Sequence, residues 1–298
     1  MPPRASAGRL NLMADRWPIS AFADEIATGL EEQIAVLQRH RVGALELRSA
    51  WGVNVVDLGP ERLDRAARLL AAAGLKVSAI GSPVGKAPIE GDFEAELVRL
   101  RAAIDAAKRL GTQHIRVFSF FIPDGRHVDF RDEVLRRMSS MAREAAAQDL
   151  VLVHENESYI YGDDAHRCRD LMDSVGSPSL KMVFDPANFV QVGVQPLDEA
   201  WPVLREYVRH FHVKDAVSVD RTGLQPYPSH IPEERLIESI RPAGEGDGRL
   251  AELLLELGNQ DYEGYLVVEP HLRHRLPDLD AVQRFEVALK ALRRLLAP

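Results

Sequence analysis

The chain has 298 residues, 46% of them hydrophobic and 28% charged, the make-up of a folded globular protein rather than a disordered one. Its net charge of −8 is not offset by any long Lys/Arg stripe, which argues against nucleic acid or an anionic membrane surface as a partner; no apolar run reaches the roughly 18 residues of a membrane span. The single cysteine, Cys168, excludes an intramolecular disulfide and suits a reducing compartment, so a cytoplasmic location is expected.

Residues 1–16 carry charges but no apolar run of the kind a secretory signal needs, and read as a flexible leader. Residues 17–298 then repeat one pattern, a short apolar run followed by an amphipathic helix that usually stops at glycine. Ile19–Ala23 reads as the first strand, and Thr28 with Glu31 as a capping box for a helix stopping near Gly43. Strand 44–48 follows, then a helix over 60–73 and strand 76–80. A helix over 92–110 sets Leu97, Leu100, Ile104 and Ala107 on one face, the spacing of a core-facing stripe. After it come strand 114–118, helix 131–148, strand 151–155, helix 164–175, strand 181–185, helix 197–208 and strand 210–214. A long Pro- and Gly-bearing stretch, 215–247, precedes helix 248–257, strand 265–269 and helix 279–296. Eight strands alternating with helices predict a parallel sheet, and eight units in about 280 residues predict a single α/β domain, a closed (β/α)8 TIM barrel over 17–298. The open doubly wound alternative lacks its Gly-rich phosphate fingerprint after the first strand.

In such a barrel the chemistry sits at the C-terminal ends of the strands. Glu155, Asp185 and Glu269 end strands five, six and eight, and His212 lies on strand seven. Strand spacing of about 4.8 Å lets these side chains converge. Val153, Val183 and Val267 share their parity and should fill the layer below. Three carboxylates and an imidazole suit one divalent metal ion, with Mn2+ expected first and Mg2+, Co2+ or Zn2+ as alternatives. A bound cation would also relieve the repulsion among the carboxylates. Lys214, on the face of His212, is expected at the barrel mouth, and only six of the 37 basic residues are lysines. Glu157 is a candidate contact for a substrate hydroxyl, Glu245 in the GlyGluGly segment for the mouth, and Glu46 with Arg48 for a pair at the rim. His154 should point away from the ligand face, His210 should lie one layer below His212, and His271 and His274 fall in a basic stretch read as a solvated loop.

The ordered segments ValHisGluAsnGlu (153–157), PheAspProAlaAsnPhe (184–189), HisPheHisValLysAsp (210–215), AlaGlyGluGlyAspGly (243–248) and ValValGluProHis (267–271) resemble the sugar phosphate isomerase/epimerase family, the xylose-isomerase-like barrel superfamily. The resemblance runs from about 18 to 296 and includes AlaPheAlaAspGluIle (21–26) and LeuGluLeuArg (45–48). It implies the same ligands, Glu155, Asp185, His212 and Glu269, with Glu155 and Glu269 doubling as acid/base groups. Asn188 stands where the family's ketose 3-epimerases carry a substrate-contacting His, and Ser218 where they carry an Arg. The apurinic-site nucleases of the superfamily need further His and Asp ligands, which the segment 81–85 and Asn188 do not supply. The expected activity is therefore that of a sugar isomerase or epimerase, abstracting a proton next to a metal-bound carbonyl through an enediolate. An inosose-type dehydratase and a non-catalytic sugar-binding barrel are the alternatives. The expected partner is a small sugar or keto-sugar, and the resemblance implies a homodimer or homotetramer.

Overall fold

The computed structural model describes residues 16–123, 125–220 and 231–297. Except for Arg16, the expected leader lies outside the described residues. Eight strands, β1 (Ile19–Ala21), β2 (Ala44–Leu47), β3 (Lys76–Ile80), β4 (His114–Val117), β5 (Val151–Glu155), β6 (Leu180–Phe184), β7 (Val208–Val213) and β8 (Leu266–Val268), form one sheet. Their spatial order is β1-β8-β7-β6-β5-β4-β3-β2, and every pairing is parallel. The end strands β1 and β2 pack side by side. This is the expected (β/α)8 barrel.

The main helices are α1 (Leu30–Arg39), α2 (Gly59–Ala73), α3 (Phe93–Leu110), α4 (His127–Ala146), α5 (Ala165–Val175), α6 (Pro186–Gln191), α7 (Trp201–Leu204), α8 (Glu233–Ser239), α9 (Leu250–Gly258) and α10 (Ala281–Leu296). The stripe predicted on α3 is buried along its length, at Leu97, Leu100, Ile104 and Ala107. Burying a leucine or isoleucine of this kind is worth about 1.5–3 kcal/mol. α2 and α3 end at Gly74 and Gly111 as expected. No described helix is long and apolar enough to cross a membrane.

The capping box expected of Thr28 and Glu31 does not form. Gly29, not Thr28, caps α1, and it makes no side-chain cap bond. The capping box of this fold lies instead on α10, where Asp280 and Gln283 exchange side-chain and backbone bonds. The stretch 215–247 is more than a connection: Asp215–Ala216 pairs antiparallel with Ile240–Arg241, and α8 precedes the second of these strands.

Inside the barrel, Val153, Val183 and Val267 are fully buried beneath the strand ends, as parity predicts. Ser20 and Ser78 meet through their hydroxyls at 2.7 Å. The barrel interior is therefore a mixed layer of apolar and polar side chains.

Candidate metal centre

Glu155, Asp185, His212 and Glu269 come together from four neighbouring strands. Each offers one ligand atom, and the four atoms lie within 4.8 Å of one another. His212 Nδ1 is central, 3.4 Å from Glu155 Oε1, 3.6 Å from Asp185 Oδ2 and 3.7 Å from Glu269 Oε2. All four residues are buried.

Local structure fixes each of them. Asp185 follows β6 and caps α6, with Oδ1 accepting the Asn188 N–H at 2.9 Å, which leaves Oδ2 for the cluster. Asn156 clamps the same turn: its amide donates to the Asp185 carbonyl and its oxygen accepts the Asp185 N–H, both at 3.0 Å. Asn188 donates to Glu155 Oε1 at 3.2 Å and to the Asn156 carbonyl at 2.8 Å. It is buried, and both amide hydrogens are engaged in holding Glu155 and its neighbouring turn.

Lys214 Nζ touches Asp185 Oδ2 and Glu269 Oε2, each at 2.9 Å. The adjacent Asp215 accepts four backbone N–H groups, from Ala216, Gly244, Gly246 and Gly248, at 2.9–3.0 Å. This explains the glycine-rich segment. A Cβ at Gly246 would lie 2.5 Å from the Ala216 carbonyl oxygen, and one at Gly248 2.7 Å from Asp215 Oδ1, so neither position tolerates a side chain. Glu245 does not join the site. Its side chain is 53% exposed and pairs with Arg294 of α10 at 3.2 Å, because the loop is wrapped around Asp215 and turns Glu245 outward.

Glu46 is the second correction. It shares strand parity with Arg48, but two residues span about 6.6 Å of strand and carry Glu46 a full layer deeper. There its Oε2 faces His210 Nε2 at 2.8 Å and His212 Nε2 at 3.1 Å. Arg48 stays at the rim, bonded to Asp24 at 2.7 Å and 3.5 Å from Glu269 Oε1. His154 points away as expected and meets the Ser119 hydroxyl at 2.9 Å.

Sequence reasoning missed Arg116. It projects inward from β4, with Nη1 3.2 Å from Glu155 Oε2 and Nε 3.6 Å from Glu46 Oε1. The rings of Phe22 and Phe118 flank its guanidinium at 5.1 Å, the geometry of a cation–π contact. The available signal was an arginine inside an otherwise apolar strand, on the parity of His114. His271 was also undervalued: its Nδ1 lies 3.0 Å from Glu25 and 3.5 Å from Glu269.

Burial alone would raise the carboxylates' affinity for protons, but their neighbours overcome it. His212 and Arg116 hold Glu155 down at about 2. Lys214, His271, His212 and Arg48 hold Glu269 well below the usual carboxylate range. Burial likewise disfavours charge on His212 and Lys214, yet the surrounding carboxylates push both well upward. Glu155 and Glu269 are thus ionised at neutral pH, the state needed for a ligand or a base.

A cavity of about 170 Å3 opens onto this cluster, with Arg48, Lys86, Arg116, Glu155, Glu157, Lys214, Glu269 and His271 in its wall. Glu157 is held there by Lys86 at 2.8 Å. A larger cavity of about 850 Å3 lies at the opposite mouth, with Trp17, Arg41, Lys76 and Arg293 in its wall and no carboxylate or histidine among its described lining residues. The residues of the first cluster fit a divalent cation: His212 Nδ1 is buried without a hydrogen-bond partner and faces three carboxylate oxygens, a hard-to-borderline donor set.

Comparison with curated proteins returns no match. Among solved structures, the chain is similar to the probable 3-DHS dehydratase AsbF of petrobactin synthesis from Bacillus anthracis (19% identity, TM-score 0.72, 92% of this chain and 98% of the other covered). It is also similar to the IOLI protein with a bound zinc atom (14%, 0.75, 94% and 98%) and to a D-tagatose 3-epimerase-like protein (17%, 0.67, 93% and 98%). At these identities the likeness establishes the fold. With residues 35–295 matching the family's sequence model, the chain belongs to the xylose isomerase-like TIM barrel family.

Proposed function

We propose that this protein is a divalent-cation-dependent isomerase or epimerase of a small hydroxycarbonyl sugar. One observation carries the reading. Of the four clustered residues, Glu155 and Glu269 line the cavity whereas Asp185 and His212 are not among its lining residues, so the two glutamates are the groups a bound substrate can touch. A cation held by Glu155, Asp185, His212 and Glu269, Mn2+ first by donor type, would polarise a substrate carbonyl and acidify the adjacent C–H.

The chain's own residues then move the proton. One glutamate takes the C–H proton, leaving the electron pair on the substrate as an enediolate. The other returns a proton to the opposite face, which gives epimerisation, or to the neighbouring carbon, which gives isomerisation. Lys214, Arg48 and Glu157 stand in the cavity wall, where they can hold substrate oxygens. If a hydroxyl β to the carbonyl left instead, taking a proton to become water, the same start would give dehydration.

The test is solvent exchange. Protein loaded with Mn2+ in deuterium oxide is incubated with a panel of ketoses, inososes and keto-sugars, and products are read by NMR and mass spectrometry. Deuterium incorporation without loss of water supports the proposal, as does a fall of about 10²–10⁴-fold in Glu155→Gln and Glu269→Gln. Loss of water overturns it in favour of a dehydratase. Saturable sugar binding with no exchange overturns it in favour of a binding protein.

A further inference from the structure

We propose that Glu46 is a positioning residue: it accepts a hydrogen bond from His212 Nε2 and so fixes the ring with Nδ1 turned toward Glu155, Asp185 and Glu269. The inference rests on the reading that those four residues hold a divalent cation.

An imidazole buried in this position has two ambiguities, and Glu46 resolves both. A ring that ligates a cation carries one proton, and a hydrogen bond from Nε2 to Glu46 Oε2, 3.1 Å away, assigns that proton to Nε2. The lone pair is then left on Nδ1, the atom that faces three carboxylate oxygens. The ring can also turn over by half a rotation. Doing so would exchange Nε2 for a carbon opposite Glu46 and carry Nδ1 away from the cluster, so the same bond opposes the flip. Ligating histidines are commonly held in this manner by a carboxylate on the far nitrogen.

Glu46 is itself fixed. It is fully buried, and the same Oε2 faces His210 Nε2 at 2.8 Å. Its other oxygen faces Arg116 Nε at 3.6 Å. Arg116 in turn reaches Glu155 Oε2 at 3.2 Å. Glu46 therefore touches neither the cavity nor any reacting atom, and it acts on two ligands, His212 directly and Glu155 through Arg116. Glu46, His210 and His212 also lie close enough to form a cation site of their own, and the experiment separates that arrangement from this one.

Cation affinity is measured directly, by competition of Co2+ between the protein and a chromophoric chelator, and bound ions are counted. Wild type is expected to bind one Co2+, and Glu46→Gln to bind it about 10–100-fold more weakly. Nitrogen-15 spectra of the wild-type protein loaded with diamagnetic Zn2+ are expected to show His212 protonated on Nε2 and coordinating through Nδ1, a signature that a merely structural role for Glu46 does not require. That spectrum needs no variant, so the test survives if Glu46→Gln fails to fold. Wild-type protein that binds no cation overturns the reading of the site itself. Wild-type binding with affinity in Glu46→Gln within threefold, or a ring protonated on Nδ1, overturns only the role of Glu46. Two ions per chain, with one lost in Glu46→Gln, overturns it in favour of Glu46 and His210 as ligands.

Discussion

Lys214→Met should destabilise the cation-free protein and enlarge its response to added cation. The ammonium sits 2.9 Å from both Asp185 Oδ2 and Glu269 Oε2. At an effective dielectric constant near 20, each contact is worth about 6 kcal/mol of attraction before desolvation is counted. Most of that is cancelled by the burial of all three groups, but removing one partner of a buried pair leaves uncompensated charge and costs about 3–5 kcal/mol. For a chain of this length, with an unfolding entropy of roughly 2.1 cal/mol/K per residue, about 4 kcal/mol corresponds to a fall of about 6 °C in Tm. The measurement is calorimetric unfolding in excess chelator and again in saturating Mn2+. The variant should lose about 6 °C in chelator and recover more on Mn2+ addition than wild type gains, because the divalent charge replaces the lost ammonium beside the same oxygens. A chelator Tm within 2 °C of wild type would refute the claim that this lysine holds the carboxylates together.

Burial and the nearby His210 push His114 down to about 4. Because its folded value lies below the unfolded 6.5, the unfolded state takes up a proton first, and stability present above pH 6.5 is lost as pH falls toward 4; at pH 5 the loss is about 2 kcal/mol. Denaturant unfolding at pH 8 and pH 5 should show His114→Gln sparing about that much relative to wild type. Asp215→Asn replaces one acceptor oxygen by a donor and strands two of the four N–H groups it now binds; at about 1–3 kcal/mol each, denaturation should show a loss of about 2–6 kcal/mol. Glu245→Ala should leave both proton exchange and Tm unchanged within error, since its only described partner is an exposed arginine.

The cluster of Glu155, Asp185, His212 and Glu269 was legible because it depends on two robust periodicities. Alternation along a strand decides which side chains face inward, and strand ends decide which inward residues reach the chemistry. Glu155, Asp185, His212 and Glu269 satisfy both conditions, and they converge. Glu46 satisfies only the first: parity places it inside but says nothing of depth, and depth separates a rim contact from a partner of His212 Nε2. The bonds of Asn188 to Glu155 and the Asn156 carbonyl were not legible because they depend on α6 folding back over β5. Arg116 was passed over because one arginine in a strand resembles ordinary alternation; its partners Glu46 and Glu155 lie 70 and 39 positions away along the chain. Glu245 owed its apparent promise to neighbouring glycines whose actual role is to approach Asp215.

The corrected contacts divide the buried charge into two halves about His212. On one side Arg116 lies between Glu46 and Glu155; on the other Lys214 lies between Asp185 and Glu269. The halves are chemically unequal, because a guanidinium does not give up its proton at accessible pH whereas an ammonium can. In the proposed reaction, Arg116 cannot relay a proton that arrives on Glu155, and Glu155 must return it to the substrate or to water. A proton on Glu269 removes one of the charges that push Lys214 upward, and so lies beside a lysine freed to exchange one. The Glu269 side is therefore the one that should communicate with solvent during turnover, and the Glu155 side the one that should conserve a substrate-derived proton. With substrate deuterated at the abstracted position, Lys214→Met should raise the fraction of deuterium carried through to product relative to wild type. An unchanged fraction, with turnover still measurable, would remove the asymmetry from the mechanism.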